Sequence, residues 1–162
     1  MRTLSLLIIL LFAGCVYEVP LTTTPKQALD KGLLGAWETT ENDGKTLTMV
    51  VLPWGNDELL VHYPVHPKEG LYFRAMAAEA GASPLVQLQC LGSAAGETPD
   101  GPRVYHFASW RLNGDQLTVR LINPEVVGGD AKTTADLTRL IAERRDHPDL
   151  FQDPAVFRRV KP

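Results

Sequence analysis

From Gly35 to Asn123 the chain alternates apolar and polar side chains with a period of two, in seven short runs separated by turn residues. Ala36 to Thr40 is the first run, and Asn42-Asp43-Gly44 after it is a tight-turn signal. Leu47, Met49 and Val51 then alternate with Thr46, Thr48 and Val50, up to a turn at Pro53-Trp54-Gly55-Asn56. Leu59, Val61 and Tyr63 alternate with Glu58, Leu60 and His62, and Pro64 ends that strand. Leu71 to Ala77 and Leu85 to Leu91 make two more runs, with Val86, Leu88 and Cys90 opposite Gln87 and Gln89. After a small-residue loop at Gly92 to Pro102 comes the clearest hairpin, Val104 to Leu112 and Asp115 to Asn123 around Asn113-Gly114. One-sided alternation joined by short turns predicts an antiparallel meander rather than a parallel sheet.

The period changes at both ends of this region. Thr24-Pro25 reads as a helix start and Gly32 as its stop, giving a short helix or 3₁₀ turn through Gln27 to Lys31. Pro124 to Lys132 reads as a glycine-containing connection. Thr133 can cap a helix, and Leu137, Leu140 and Ile141 put one narrow apolar stripe on it before His147-Pro148 ends it. Ala155 to Lys161 is the expected last strand.

The first fifteen residues follow another rule. Met1-Arg2-Thr3 supplies a positive start, Leu4 to Phe12 an apolar stretch, and Ala13-Gly14 a small-residue cleavage point. Together they read as a secretory signal covering residues 1 to 14. The nine residues Leu4 to Phe12, eight of them apolar, cover about 14 Å as a helix, half of a ~30 Å hydrocarbon core, so a spanning anchor is not expected. Leu11-Phe12-Ala13-Gly14-Cys15 resembles the lipobox of bacterial lipoproteins. The resemblance implies that Cys15 becomes the first mature residue, with a diacylglyceryl group on its sulfur and an acyl chain on its amine. Two or more chains hold a protein firmly at a bilayer, where one does not. In that family Asp after the cysteine favours the inner membrane. Val16 and Tyr17 lack that signal, which implies the periplasmic face of the outer membrane. Residues 15 to 24, with one proline and three threonines and no periodicity, read as a lipidated tether able to reach about 30 Å. Residues 25 to 162 are then the single folded domain, of ordinary size.

The charge balance, 19 acidic against 16 basic side chains and a formal −3, gives no footprint for nucleic acid or an anionic bilayer. With Cys15 lipidated, Cys90 is left without a disulfide partner, and stability must come from an apolar core.

Gly35-Ala36-Trp37, which opens the first strand after a short helix, looks like the G-x-W signature of lipocalins and the wider calycin superfamily. The resemblance implies a closed antiparallel barrel of about eight strands with a helix before the last strand. Closure removes the exposed edges of a long meander. It also implies an arginine near the chain's end packed across the tryptophan. Arg158, sharing a face with Val156 and Val160, is the expected partner of Trp37 in preference to Arg159. A β-sandwich is the alternative architecture.

Candidate chemistry is sparse. In a strand His62 and His66 would share a face about 13 Å apart, too far for one zinc ion, so no metal site is expected. Gly81-Ala82-Ser83-Pro84-Leu85 lacks the closing glycine of a nucleophile elbow, and no phosphate-loop pattern occurs. Cys90, level with Val86 and Leu88, reads as an inert core thiol. No catalytic residue, cofactor or enzyme activity is expected. Two functions remain. One is a structural or protein-interaction module at the membrane, with Trp54 at a turn tip as its partner contact. The alternative is a carrier of a small apolar or amphipathic ligand, with Tyr63, His106 and Trp110 on the pocket wall.

Overall fold

The computed structural model describes residues 15–161, so the expected signal at residues 1 to 14 lies outside the described residues. Eight strands close into one antiparallel barrel in simple chain order: β1 (Gly35–Thr40), β2 (Thr46–Trp54), β3 (Glu58–Tyr63), β4 (Leu71–Ala80), β5 (Ser83–Ser93), β6 (Tyr105–Asn113), β7 (Gln116–Leu121) and β8 (Ala155–Arg159). The barrel closes where Trp37 and Glu38 of β1 face Arg159 and Arg158 of β8. Alternation along each strand separates two apolar regions. Met49, Val51, Val61, Phe73, Leu88, Leu117 and Phe157 point inward and fill the barrel. Ala78, Ala80, Leu85 and Phe107 point outward from β4 to β6 into a second, external core.

That external core exists because a helix covers it. Helix α2 (Thr134–Glu143) starts at Thr133, whose hydroxyl accepts from the Asp136 amide at 3.1 Å, and it buries Leu137 and Ile141 against the barrel. A single turn, α1 (Pro124–Val127), precedes it where the sequence reads as a plain connection. Asn123 caps that turn by accepting from the Glu125 amide at 3.0 Å, with Pro124 at the first helical position, so the Asn-Pro pair is its signal. No described helix is long and apolar enough to cross a membrane.

The amino-terminal segment departs from expectation. Instead of a free tether, residues 16 to 24 lie along the outside of β5 and β6 as a strap. The amides of Val16 and Tyr17 bond the Tyr105 carbonyl, and Tyr17 buries its ring 5.0 Å from Phe107. Gln87 staples the strap further on. Its Oε1 accepts from the amides of Leu21 and Thr22 at 2.7 and 3.2 Å, and its Nε2 donates to the Thr22 carbonyl at 3.0 Å. Gln87 is only 1% exposed, so these bonds satisfy a polar group that burial would otherwise penalise. Substituting Gln87→Leu removes three strap bonds and strands the Leu21 amide, at a cost of about 1–3 kcal/mol. Hydrogen exchange at the Leu21 and Thr22 amides reads this directly, and unchanged protection would contradict the staple.

The expected short helix or 3₁₀ turn at Gln27 to Lys31 forms as a 3₁₀ turn displaced along the chain to Lys31–Leu33. The strap continues with the Lys26 amide bonded to the Ala77 carbonyl, which holds this stretch against the barrel wall. Asp30 caps the 3₁₀ turn through the Gly32 amide at 2.7 Å.

Candidate functional site

One end of the barrel is closed by Trp37 and an arginine, but the arginine is Arg159, not Arg158. Its guanidinium carbon sits 4.2 Å from the Trp37 ring centroid. The reason is parity: Ala155 and Phe157 are buried in the interior, which turns Val156, Arg158 and Val160 outward. Val156 and Val160 are apolar yet exposed, so the face they share with Arg158 is the solvent side. Arg159 Nη1 donates to the Leu34 carbonyl at 2.9 Å and Nη2 to the Gly32 carbonyl, while Nε lies 3.3 Å from Asp115 Oδ1. Trp37 is fully buried, and its Nε1 donates to the Leu33 carbonyl at 2.9 Å. Gly35 is the third part of this lock. Its φ of +120° suits glycine, and a Cβ there would stand 3.3 Å from Arg159 Nη1.

Inside the barrel, Tyr63 and Trp110 line the central cavity together with Met49, Phe73, Val119 and Phe157. About 20 Å³ is open to the centre of a water molecule there, close to the minimum for one water and far below a ligand pocket. Of the expected pocket wall, Tyr63 and Trp110 line this space and His106 does not. Tyr63 meets Phe157 edge-on at 5.6 Å, and burial raises its hydroxyl to about 12. His106, on the same inward face, lies edge-on to Phe73 at 6.4 Å, and burial lowers its imidazole from 6.5 to about 4. It is neutral near pH 7.

The other side chains singled out in the sequence do not converge on a reaction centre. His62 stacks on Tyr72 at 4.3 Å, whereas His66 Nδ1 accepts from the Lys68 and Glu69 amides and shapes the β3–β4 turn. Among the described residues no three His, Cys, Asp or Glu side chains gather as a metal site. Gly81 and Ala82 form the two-residue turn between β4 and β5, and Ser83 is the first residue of a strand.

Two features do stand out. The first is a groove of about 340 Å³ on the outer face of β2 to β5, walled by Trp54, Leu60, Tyr72 and Leu91. Trp54 is the last residue of β2 and 44% exposed, with the exposed Leu52 two residues before it on the same face. Arg74 clamps Glu58 beside it, Nη2 donating to Oε1 at 2.7 Å and Nε to the other oxygen.

The second is a thiol pair. Cys15, just ahead of the strap, and Cys90, near the end of β5, both pack on the inner core, and their thiols interact electrostatically. Cys90 is therefore not the solitary core thiol that its strand position implies. The interaction with the Cys15 thiol lowers Cys90 from 9.0 to about 7, while Cys15 is pushed up by that same interaction and by burial. In the unlipidated chain, Cys15→Ala returns Cys90 toward or above its ordinary 9.0. The pH dependence of alkylation at Cys90 measures this, and an unmoved midpoint would show that Cys15 is not the cause.

Comparison with protein-family models, curated proteins and solved structures returns no match. The class rests on architecture alone: a closed eight-stranded antiparallel barrel with one helix before its last strand, consistent with a lipocalin-like fold.

Proposed function

We propose that this chain is a lipid-anchored protein of the bacterial envelope, held by diacylglyceryl on Cys15, whose barrel serves as a structural or protein-interaction module. The observation that supports the module reading is the small interior space, about 20 Å³. The anchor reading rests on the positive start, the apolar run and the Ala13-Gly14-Cys15 ending. The location is the periplasmic face of the outer membrane, following from Val16 and Tyr17 after the cysteine. The surface offered to a partner is the outer groove, where Trp54 provides an aromatic contact of the kind that dominates binding interfaces.

Three measurements test this reading. Expressed with residues 1 to 14 in place, the chain should fractionate with membranes and Cys15→Ala should not; equal partition would refute the anchor. Native mass spectrometry of the unanchored barrel should give the bare polypeptide mass, even after addition of lipid extract. A stoichiometric adduct lost on denaturation would make the protein a carrier instead. Trp54→Ala should change stability by no more than about 0.5 kcal/mol, because the ring lies on the outer surface. A large fall in denaturation midpoint would show that Trp54 holds the fold rather than a partner.

A further inference from the structure

The strap fixes how an anchored barrel would meet the membrane. In an up-and-down barrel the connections alternate between two ends. The Val16 amide, next to Cys15, donates to the carbonyl of Tyr105, the first residue of β6, at 3.3 Å, so Cys15 lies at the end that carries the β1–β2, β3–β4, β5–β6 and β7–β8 connections. Backbone bonds tie two of these together: Ala94 donates to the Gly70 carbonyl at 2.7 Å. Val65 at this end donates to the Thr48 carbonyl, near the start of β2, at 2.7 Å. The opposite end carries the Trp37–Arg159 lock and the β6–β7 turn at Asn113-Gly114.

Only one residue separates Cys15 from Tyr17, and the Tyr17 backbone is pinned to the barrel wall. Its amide donates to the Tyr105 carbonyl at 3.2 Å, and its carbonyl accepts from the Val104 and Tyr105 amides, each at 3.1 Å. Two residues of extended chain span at most about 7 Å. An acyl group on Cys15 would therefore leave the molecule at the barrel's own end, with no spacer between barrel and bilayer.

We infer that the barrel is seated end-on on the lipid surface, with the β1–β2, β3–β4 and β5–β6 loops against the headgroups and the Trp37–Arg159 end facing away. This inference rests on the lipid anchor proposed above and adds an orientation to it. In the β3–β4 loop Val65 is 44% exposed, followed by the exposed His66, Pro67, Lys68 and Glu69. The apolar Val65 and Pro67 suit a headgroup boundary. The geometry also sets what remains free. The β2–β3 turn beside Trp54 belongs to the far end and stays in the aqueous space, whereas the other wall of the outer groove, Gly92 to Thr98, runs into the seated end.

The test uses the full lipidated chain in vesicles of phosphatidylethanolamine and phosphatidylglycerol. An environment-sensitive fluorophore is attached by maleimide to Val65→Cys or to Asn113→Cys, each in a Cys90→Ser background. Seating predicts a blue shift and quenching by headgroup-located quenchers for the Val65 probe, and neither for the Asn113 probe. Equal responses at both positions, with the acyl mass on Cys15 confirmed, would overturn the seating while leaving the anchor intact. Absence of the acyl mass would overturn both, and the mass spectrum separates the two failures.

Discussion

Trp37→Ala will lower the unfolding free energy by about 3–5 kcal/mol, the range for removing a large aromatic side chain from a packed core. Trp37 has no exposed surface, and truncation also leaves the Leu33 carbonyl without its indole donor. Arg159→Ala will cost about 2–3 kcal/mol, since it removes the cation over the ring and two charged hydrogen bonds to the Leu34 and Gly32 carbonyls. Arg158→Ala, one residue away and exposed, will stay within about 0.5 kcal/mol of the parent. Urea denaturation of the three variants checks the ranking. Equal costs at Arg158 and Arg159 would mean that the lock does not distinguish them.

The second large effect is a loss of stability in mild acid. Burial lowers the folded pKa of His106 from 6.5 to about 4. Between those values the unfolded chain takes up a proton that the folded chain refuses, so stability falls as pH drops from 6.5 to about 4. The contribution is intact above pH 6.5 and fully lost below about 4, a difference of about 3 kcal/mol. His106→Gln removes the titration. Its own stability will then vary less between pH 6.5 and about 4 than that of the parent, and each protein is compared with itself. Parallel pH profiles would contradict the assignment to His106.

Much of the barrel is legible in the sequence because its physics is local. Period-two alternation and the Asn-Asp-Gly and Asn-Gly turns mark the strands, and β3 begins and ends at the residues expected, Glu58 and Tyr63. The strap is not legible, because what docks it is distant. Gln87 stands 66 residues from Leu21, and its polar side chain reads as a solvent-facing position. Tyr17 and Leu21 follow no period, since a strap needs isolated apolar contacts rather than a continuous face. The preference for Arg158 over Arg159 rests on the apolar neighbours Val156 and Val160, which are exposed in the fold. Phe157, the larger apolar residue, carries the correct parity. The Cys15–Cys90 contact likewise needs the fold, since the two residues come together only when the strap docks on β5 and β6.

The most direct test of the lipid anchor is the intact mass of the protein extracted from membranes with detergent. The predicted result is a chain beginning at Cys15, carrying one diacylglyceryl group and one further acyl chain, with Cys90 unmodified. A mass that retains residues 1 to 14, or a polypeptide mass without acyl groups, would contradict the anchor and the seating built on it.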